Sequence, residues 1–345
     1  AESGCRVVVP TLIDRADTFS IDAGGARKTN QPHREFIYRQ AYEMGRHIIG
    51  YEVQKVLSLV DWFAAEAGDG DAKIGVMGYA EGGLLALYAG ALDTRIDVTC
   101  VSGYFEPREN VWEEPIYRNV FALLDEFGDA ELASLIASRK LIVEASRAPD
   151  IKGPPPVREG RGGAAPGRLR TPDIKRVVAE VERAKKLSDR LKPAAQLEIA
   201  GDGDGTAGAV GPFLDAVCGG KPADSGAAPT YDRPGFDPQK RLKRQLDELI
   251  EFTQRLMRES EYTRRAFWSK ADRSSVEKWK ETTKPYRDYF ANEVIGRFDL
   301  KRLPAKPRTR KVYDEPKYTG YEVVLDVFPD VMAYGILLVP KGIAR

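Results

Sequence analysis

The stretch KIGVMGYAEGGLLALYAG, residues 73–90, decides the fold, because its apolar pattern changes character midway. Lys73–Met77 is a short, nearly continuous apolar run, as expected of a strand covered on both faces. Gly78, Tyr79, Ala80, Glu81, Gly82 and Gly83 then make a tight turn, and Gly82–Ala91 reads as an Ala/Leu-rich helix. Outward from this unit the same alternation recurs. Short β-branched runs predict strands at Cys5–Pro10, Val98–Ser102, Leu141–Ala145 and Gln196–Ala200. Between them Ile37, Ala41, Met44, Ile48, Val53, Val56, Leu57 and Val60 recur at helical spacing over Phe36–Ala65, with Gly50 as the candidate break. Further helices are expected at Ala130–Ala137 and Pro172–Leu191, the latter with Asp173 placing negative charge at its N-terminus. Strands alternating with helices point to an α/β fold with a parallel sheet.

The chain of 345 residues is long enough for about two domains. Residues 1–222 hold the α/β pattern, interrupted at 152–171 by a Pro-, Gly- and Arg-rich stretch expected to be a solvated loop unable to pack a core. Residues 223–235 read as a linker. Residues 236–303 are charged and helical, with Leu242, Leu246, Leu249, Ile250, Leu256 and Met257 along one face. The aromatics that follow, Tyr262, Phe267, Trp268, Trp279, Tyr286, Tyr289 and Phe290, are read as packing residues. Residues 304–345 close with two expected strands, Tyr321–Asp326 and Tyr334–Val339, in a β-meander.

Composition excludes several functions. Basic and acidic residues number 53 and 52, so no excess of charge marks a nucleic-acid binder. No run reaches the roughly 18 apolar residues of a membrane span. Cys5, Cys100 and Cys218 stand far apart, with neither zinc spacing nor an even count, and are taken as buried thiols. The two histidines, His33 and His47, are too few for a His-rich metal site. Both chain ends read as cuts through a longer polypeptide, and no compartment is assigned.

The turn at residues 78–83 resembles the nucleophile elbow of the α/β-hydrolase superfamily, G-x-S-x-G between strand and helix. Ala80-Glu81-Gly82-Gly83 is similar to the Ser-Glu-Gly-Gly of esterases, lipases and dienelactone hydrolases, and the tone is that of acetyl xylan esterase and dienelactone hydrolase-like proteins. The resemblance implies a three-layer parallel-sheet sandwich over residues 1–222, incomplete at its start. It makes Cys5–Pro10 the strand after the first superfamily helix and puts the oxyanion-hole amides upstream of Ala1. It also makes Ala80 the nucleophile position, and a methyl group cannot attack a carbonyl. The superfamily order of Ser, then acid, then His fails as well, because both histidines precede the elbow. GDGDGTAG, residues 201–208, stands where the His is expected, and Asp150 or Glu144 is left as a vestigial acid. No catalytic residue is therefore expected, and the elbow residues Gly78, Tyr79, Ala80, Glu81, Gly82 and Gly83 are expected to line a pocket.

Other motifs weigh less. Ser102 and Cys100 are read as sheet packing, since no histidine is placed to activate them. Gly203–Gly208 matches G-x-G-x-x-G but lacks the βαβ context of a dinucleotide site. Asp202 and Asp204 begin like a calcium loop, but Ala207 and Phe213 stand where Gly and Glu are needed. His47 is read as a helix-face residue and His33 as a loop residue. No cofactor and no metal are expected.

RTRKVYDEPKYTGYEVVLDVFPDVMAYGILLVPKG, residues 308–342, resembles the entry strands of another hydrolase domain. The resemblance thus implies a degenerate domain of a larger esterase- or peptidase-like hydrolase, scaffolding or positioning substrate beside a second hydrolase domain. The alternatives are a non-catalytic module binding a small molecule or carbohydrate ester, or an active serine-type esterase whose triad lies outside this stretch.

Overall fold

The computed structural model describes the chain except residues 1, 22–24, 26–27, 69, 71–72, 193, 204, 206–207, 225, 227–232 and 343–345. It divides into two compact units, Ala1–Glu261 and Tyr262–Arg345. The first holds a four-stranded parallel sheet in the order β1 (Ile74–Tyr79), β2 (Ile96–Ser102), β3 (Lys140–Glu144) and β4 (Gln196–Ala200). Its helices are α1 (His33–Tyr42), α2 (Ile48–Ala67), α3 (Glu81–Leu92), the short α4 (Leu123–Glu126), α5 (Asp129–Ile136), α6 (Ile174–Leu187), α7 (Val210–Cys218) and most of α8 (Pro238–Phe267).

Alternation along the strands assigns the two faces. Val101, Leu141 and Val143 face one way and join Leu84, Leu87, Ala133, Ile136, Val177 and Val181 from α3, α5 and α6. Val98, Cys100 and Ile142 face the other way and meet Ala209, Phe213, Ala216 and Val217 in and beside α7. Helices thus cover both faces. Helix α3 is apolar nearly all round because it is buried nearly all round, with Leu84, Leu85 and Leu87 at 2% exposure or less. Each such side chain contributes about 2 kcal/mol of burial.

Four expected strands are present, but Cys5–Pro10 is not one. It runs as unpaired chain with Val7 and Val9 exposed, so its β-branched composition reflected an extended segment rather than a sheet position. β1, the elbow's own strand, is instead the first in the sheet and lies at its edge. The long helix expected over 36–65 is two helices. The break falls at 43–47, where Gly45 takes φ +64°, and not at Gly50. His47 explains the restart: its Nδ1 accepts from the Gly50 amide at 3.0 Å, capping α2. Asp173 likewise caps α6, accepting from the amides of Lys175 and Arg176. His33 is not a loop residue but the first residue of α1, fully buried.

The stretch 152–171 is also more than a solvated loop. Leu169 is 6% exposed and pairs with Ile151. Arg158 and Arg161 meet Asp17, Arg168 and Arg170 meet Glu113, and the Ala165 amide donates to Glu35. Its arginines serve the chain's own carboxylates. Of the cysteines only Cys100 is buried; Cys5 is half-buried and Cys218 exposed. Of the linker 223–235, residues 225 and 227–232 lie outside the described residues. Beyond it, Leu242 and Leu246 of α8 are buried in the same core as α3 and α5, and Thr253 lies 3.4 Å from Tyr51. The first part of the charged helical segment therefore packs with the α/β unit, whereas Met257 is exposed.

In the second unit, α9 (Val276–Thr282) and α10 (Lys284–Tyr289) bring aromatics together: Trp268 stacks on Tyr286 at 4.4 Å, and Phe267 lies 5.0 Å from the same ring. Its sheet has three antiparallel strands, β5 (Arg308–Asp314), β6 (Tyr318–Phe328) and β7 (Val331–Pro340). β5, absent from the two strands expected, is charged and fully exposed; cross-strand pairs Arg308–Asp326 and Arg310–Glu322 support it in place of apolar contacts. No helix among the described residues is long and apolar enough to cross a membrane.

His47→Ala is expected to destabilise the first unit by about 1 kcal/mol, the usual worth of an N-cap. Burial, followed by the charge of Arg46, holds the His47 ring below the usual histidine range, so the cap works neutral. Its contribution is present above the unfolded histidine's pKa and is lost as pH falls below it. Urea denaturation of both proteins checks this: the gap between them should narrow from pH ~7.5 to pH ~5.

Candidate functional site

The register ends all four strands on one row. Tyr79 lies opposite Ser102, Ser102 opposite Glu144, and Glu144 opposite Ala200. The loops that follow therefore open together at the carboxyl edge of the sheet, where ligands of parallel α/β sheets bind. Backbone bonds stitch this edge: the Ala80 amide donates to Ser102 O at 2.8 Å, Gly103 to Glu144 O at 3.2 Å, and Ala145 to Ala200 O at 2.8 Å.

Ala80 connects β1 to α3 with φ +52° and ψ −109°, a conformation that costs a non-glycine residue about 1–3 kcal/mol. The geometry around it dictates the flanking glycines. A Cβ on Gly78 would lie 1.8 Å from Gly82 O, and one on Gly83 would lie 2.8 Å from Ser102 O. Gly82, by contrast, faces open space. The methyl of Ala80 borders a small cavity lined by Arg15, Glu106, Arg108, Glu114, Arg118, Arg170 and several apolar residues.

Glu81, expected to line the pocket, turns into the protein and is 5% exposed. Its carboxylate accepts from Arg15 Nη2 at 2.7 Å, Arg118 Nη2 at 3.1 Å and Arg34 Nη2 at 3.3 Å. Arg34, 1% exposed, also makes a two-pronged pair with Glu52 at 2.8 and 3.0 Å and lies 5.2 Å from the Tyr117 ring. Arg118 and Arg108 share Glu114 at 3.2 and 2.6 Å. Burial alone would push the Glu81 carboxyl up; the guanidiniums of Arg118, Arg34 and Arg15 overcome it and bring it to about 2. Asp129, deeper in the same region, shows the opposite balance: burial raises it to about 7 despite the pull of Arg108.

Glu144, expected from the resemblance as a vestigial acid, is 3% exposed, accepting from the Ser102 hydroxyl and, at 2.8 Å, from the Ala209 amide. Ser146 Oγ lies 2.8 Å from Ser102 Oγ. This buried knot ties the ends of β2 and β3 to the start of α7, and it leaves Ser102 neither exposed nor beside an imidazole. Asp150 is exposed and holds no ion pair among the described residues. It lies with Tyr79 in a broad open depression beside Arg147 and Arg170, where Tyr79 donates its hydroxyl proton to Arg147 O at 2.7 Å.

Both histidine rings make hydrogen bonds away from Ala80. His33 Nε2 accepts from the Phe19 amide at 2.9 Å, so Nδ1 carries the proton donated to Asp14 at 2.6 Å. That hydrogen bond is the main reason Asp14 lies below the usual carboxylate range. His47 Nδ1 is the cap of α2. No cluster of metal-binding side chains forms among the described residues; Asp204 and Ala207 of the calcium-like loop lie outside them.

The arginine–glutamate network was not anticipated from sequence. Its one signal was Glu52, which interrupts the every-fourth-residue line of Ile48, Val56 and Val60 with a charge. Arg15 and Arg108 stand in irregular segments and Arg118 ends a single 3₁₀ turn, Ile116–Arg118, with no periodicity to mark them. No family model, curated protein or solved structure matches this chain.

Two variants separate a constrained turn from a tolerant one. Gly78→Ala is expected to cost about 3 kcal/mol or more, because its Cβ meets backbone that cannot swing away. Gly82→Ala should be neutral or stabilising by up to about 1 kcal/mol, since alanine is the better helix former. Denaturant titration of both checks this, and equal losses would contradict the geometry. Glu81→Gln should cost about 3 kcal/mol by removing the buried negative charge that three guanidiniums share, although Arg34 keeps Glu52 and Arg118 keeps Glu114. The wild-type Glu81 contribution is present above the unfolded carboxyl's pKa and is lost as pH falls toward about 2; the acid limb of a stability–pH curve should be shallower in the variant.

Proposed function

We propose that the first unit is an α/β-hydrolase-like domain that has kept the elbow, lost acyl-transfer chemistry, and acts by binding or positioning a ligand rather than by cleaving one. The observation that carries this reading is Ala80: the side chain at the strained strand-to-helix turn, bordering the cavity at the sheet's carboxyl edge, is a methyl group. An acyl intermediate needs an oxygen or sulfur there, together with a base. Both imidazoles are committed to other partners, and the Ser102 hydroxyl is held by a carboxylate in the interior.

The cavity lining favours an anion. Four arginines border it against two glutamates. Arg15 and Arg170 are about one-third and one-half exposed, and guanidinium groups bind carboxylate or phosphate through two parallel hydrogen bonds. The ligand class this chemistry would take is a small carboxylate, such as the acid product of ester cleavage. In this reading catalysis belongs to a partner hydrolase domain of the same polypeptide. The second unit offers a surface for such a partner, since β7 carries ten successive exposed residues with no charge among them.

Treatment with a fluorophosphonate probe and p-nitrophenyl acetate should give no labelling and no turnover above denatured protein, for the wild type and for Ala80→Ser alike, because no base stands ready for a new hydroxyl. Burst kinetics in Ala80→Ser would sink the proposal. Malonate should raise the melting temperature saturably beyond chloride at matched ionic strength, and Arg170→Gln should weaken that effect several-fold; an equal response to both salts would remove the anion-binding half.

A further inference from the structure

Cys5 and Cys218, separated by 213 positions, place their sulfurs 3.2 Å apart. Two further contacts fix this approach. Cys218 is the last residue of α7, whose C-terminus closes through the Gly219 and Gly220 amides onto Asp215 O and Leu214 O. The Ala223 amide donates to Ser3 Oγ at 3.1 Å, so the segment before Cys5 is held against the segment after Cys218. Cys5 is half-buried and Cys218 exposed, while Cys100 is wholly buried on the sheet.

We propose that Cys5 and Cys218 form a thiol–disulfide exchange site, oxidised to an intramolecular disulfide by a small-molecule disulfide of the glutathione type. The exposed Cys218 thiolate attacks one sulfur of the small disulfide, breaking its S–S bond and releasing one small thiolate, which takes up a proton. Cys5, deprotonated to solvent, then attacks Cys218 Sγ and expels the second small thiol. The two protein thiols lose two electrons, and the small disulfide gains them. The sulfurs close from 3.2 Å to a bond of about 2.05 Å, a movement within side-chain rotation.

The position of the bond gives it a consequence. The segment Cys5–Pro10 has no strand partner among the described residues, and α7 covers the face of the sheet that holds Val98, Cys100 and Ile142. A bond between them ties a loosely held segment to that helix and closes a loop that includes the entire sheet, which restricts the unfolded chain strongly. Cys100 takes no part: burial pushes its thiol up to about 12.

The test incubates the whole native chain with oxidised glutathione, followed by non-reducing digestion and mass spectrometry. The expected result is a peptide pair joining Cys5 to Cys218, an unmodified Cys100, and a melting temperature raised by ~5 °C or more, reversed by dithiothreitol. Cys5→Ser should instead hold one glutathione on Cys218 and show no such rise. Two glutathione adducts on one wild-type molecule, cross-links only between molecules, or an unreactive Cys218 would each overturn the proposal. The reduced wild type, identical in sequence, serves as the folding control.

Discussion

One buried carboxylate, that of Glu81, holds together segments far apart in the chain. It receives Arg15 from the N-terminal stretch, Arg34 from α1 and Arg118 from the irregular region before α4, and Arg34 carries the link on to Glu52 in α2. Removing such charges from water costs several kcal/mol each, so the arrangement survives only because each ion is met by others and by directed hydrogen bonds. It lies next in sequence to Ala80, so the residue that most constrains the region also anchors the first turn of α3. The turn cannot relax without disturbing four segments. The depressed Glu81 carboxyl is a structural consequence of these arginines, not a sign of proton transfer.

A second polar cluster performs a similar task one strand over. Ser102, Glu144 and Ser146 satisfy one another and the Ala209 amide where four strands end in register. Buried polar groups demand such partners, and once satisfied they fix the positions of the loops that leave the sheet. The two clusters give the carboxyl edge a rigid floor. Above it, Arg15, Arg108, Arg118 and Arg170 border the cavity while paired with Glu81, Glu113 and Glu114, and the proposed recognition of an anion rests on the exposed parts of Arg15 and Arg170.

The parallel sheet was legible in the sequence because burial on both faces leaves an unmistakable mark: four of five expected strands lie within about two residues of their observed bounds. Cys5–Pro10 carries the same mark without being a strand, since β-branched residues favour extended chain wherever it runs. The break between α1 and α2 was placed at the wrong glycine, because Gly45 ends a helix through its dihedral angle and a histidine cap is not among the usual starting residues. The strand–turn–helix unit showed through its glycines, but the direction of Glu81 did not. Whether a carboxylate beside a turn faces a cavity or the interior depends on arginines 66 positions before and 37 after it, and local pattern carries no trace of them. The same holds for Cys5 and Cys218, whose proximity only the closed fold creates.

The strained backbone at Ala80 invites the inference that it serves a reaction, since strain of this kind gathers at active sites. Here the geometry supplies another cause. Gly78 and Gly83 let β1, β2 and α3 approach too closely for any side chain at those positions, and with the Ala80 amide bonded to Ser102 O the chain has one path from strand to helix. Ala80 takes a positive φ because its neighbours leave no alternative. The turn is therefore maintained by packing and by the Glu81 clamp, independently of what side chain it presents. On the proposed reading, a fold built this way loses its nucleophile without losing its shape, and the cavity beside Ala80 stays in place.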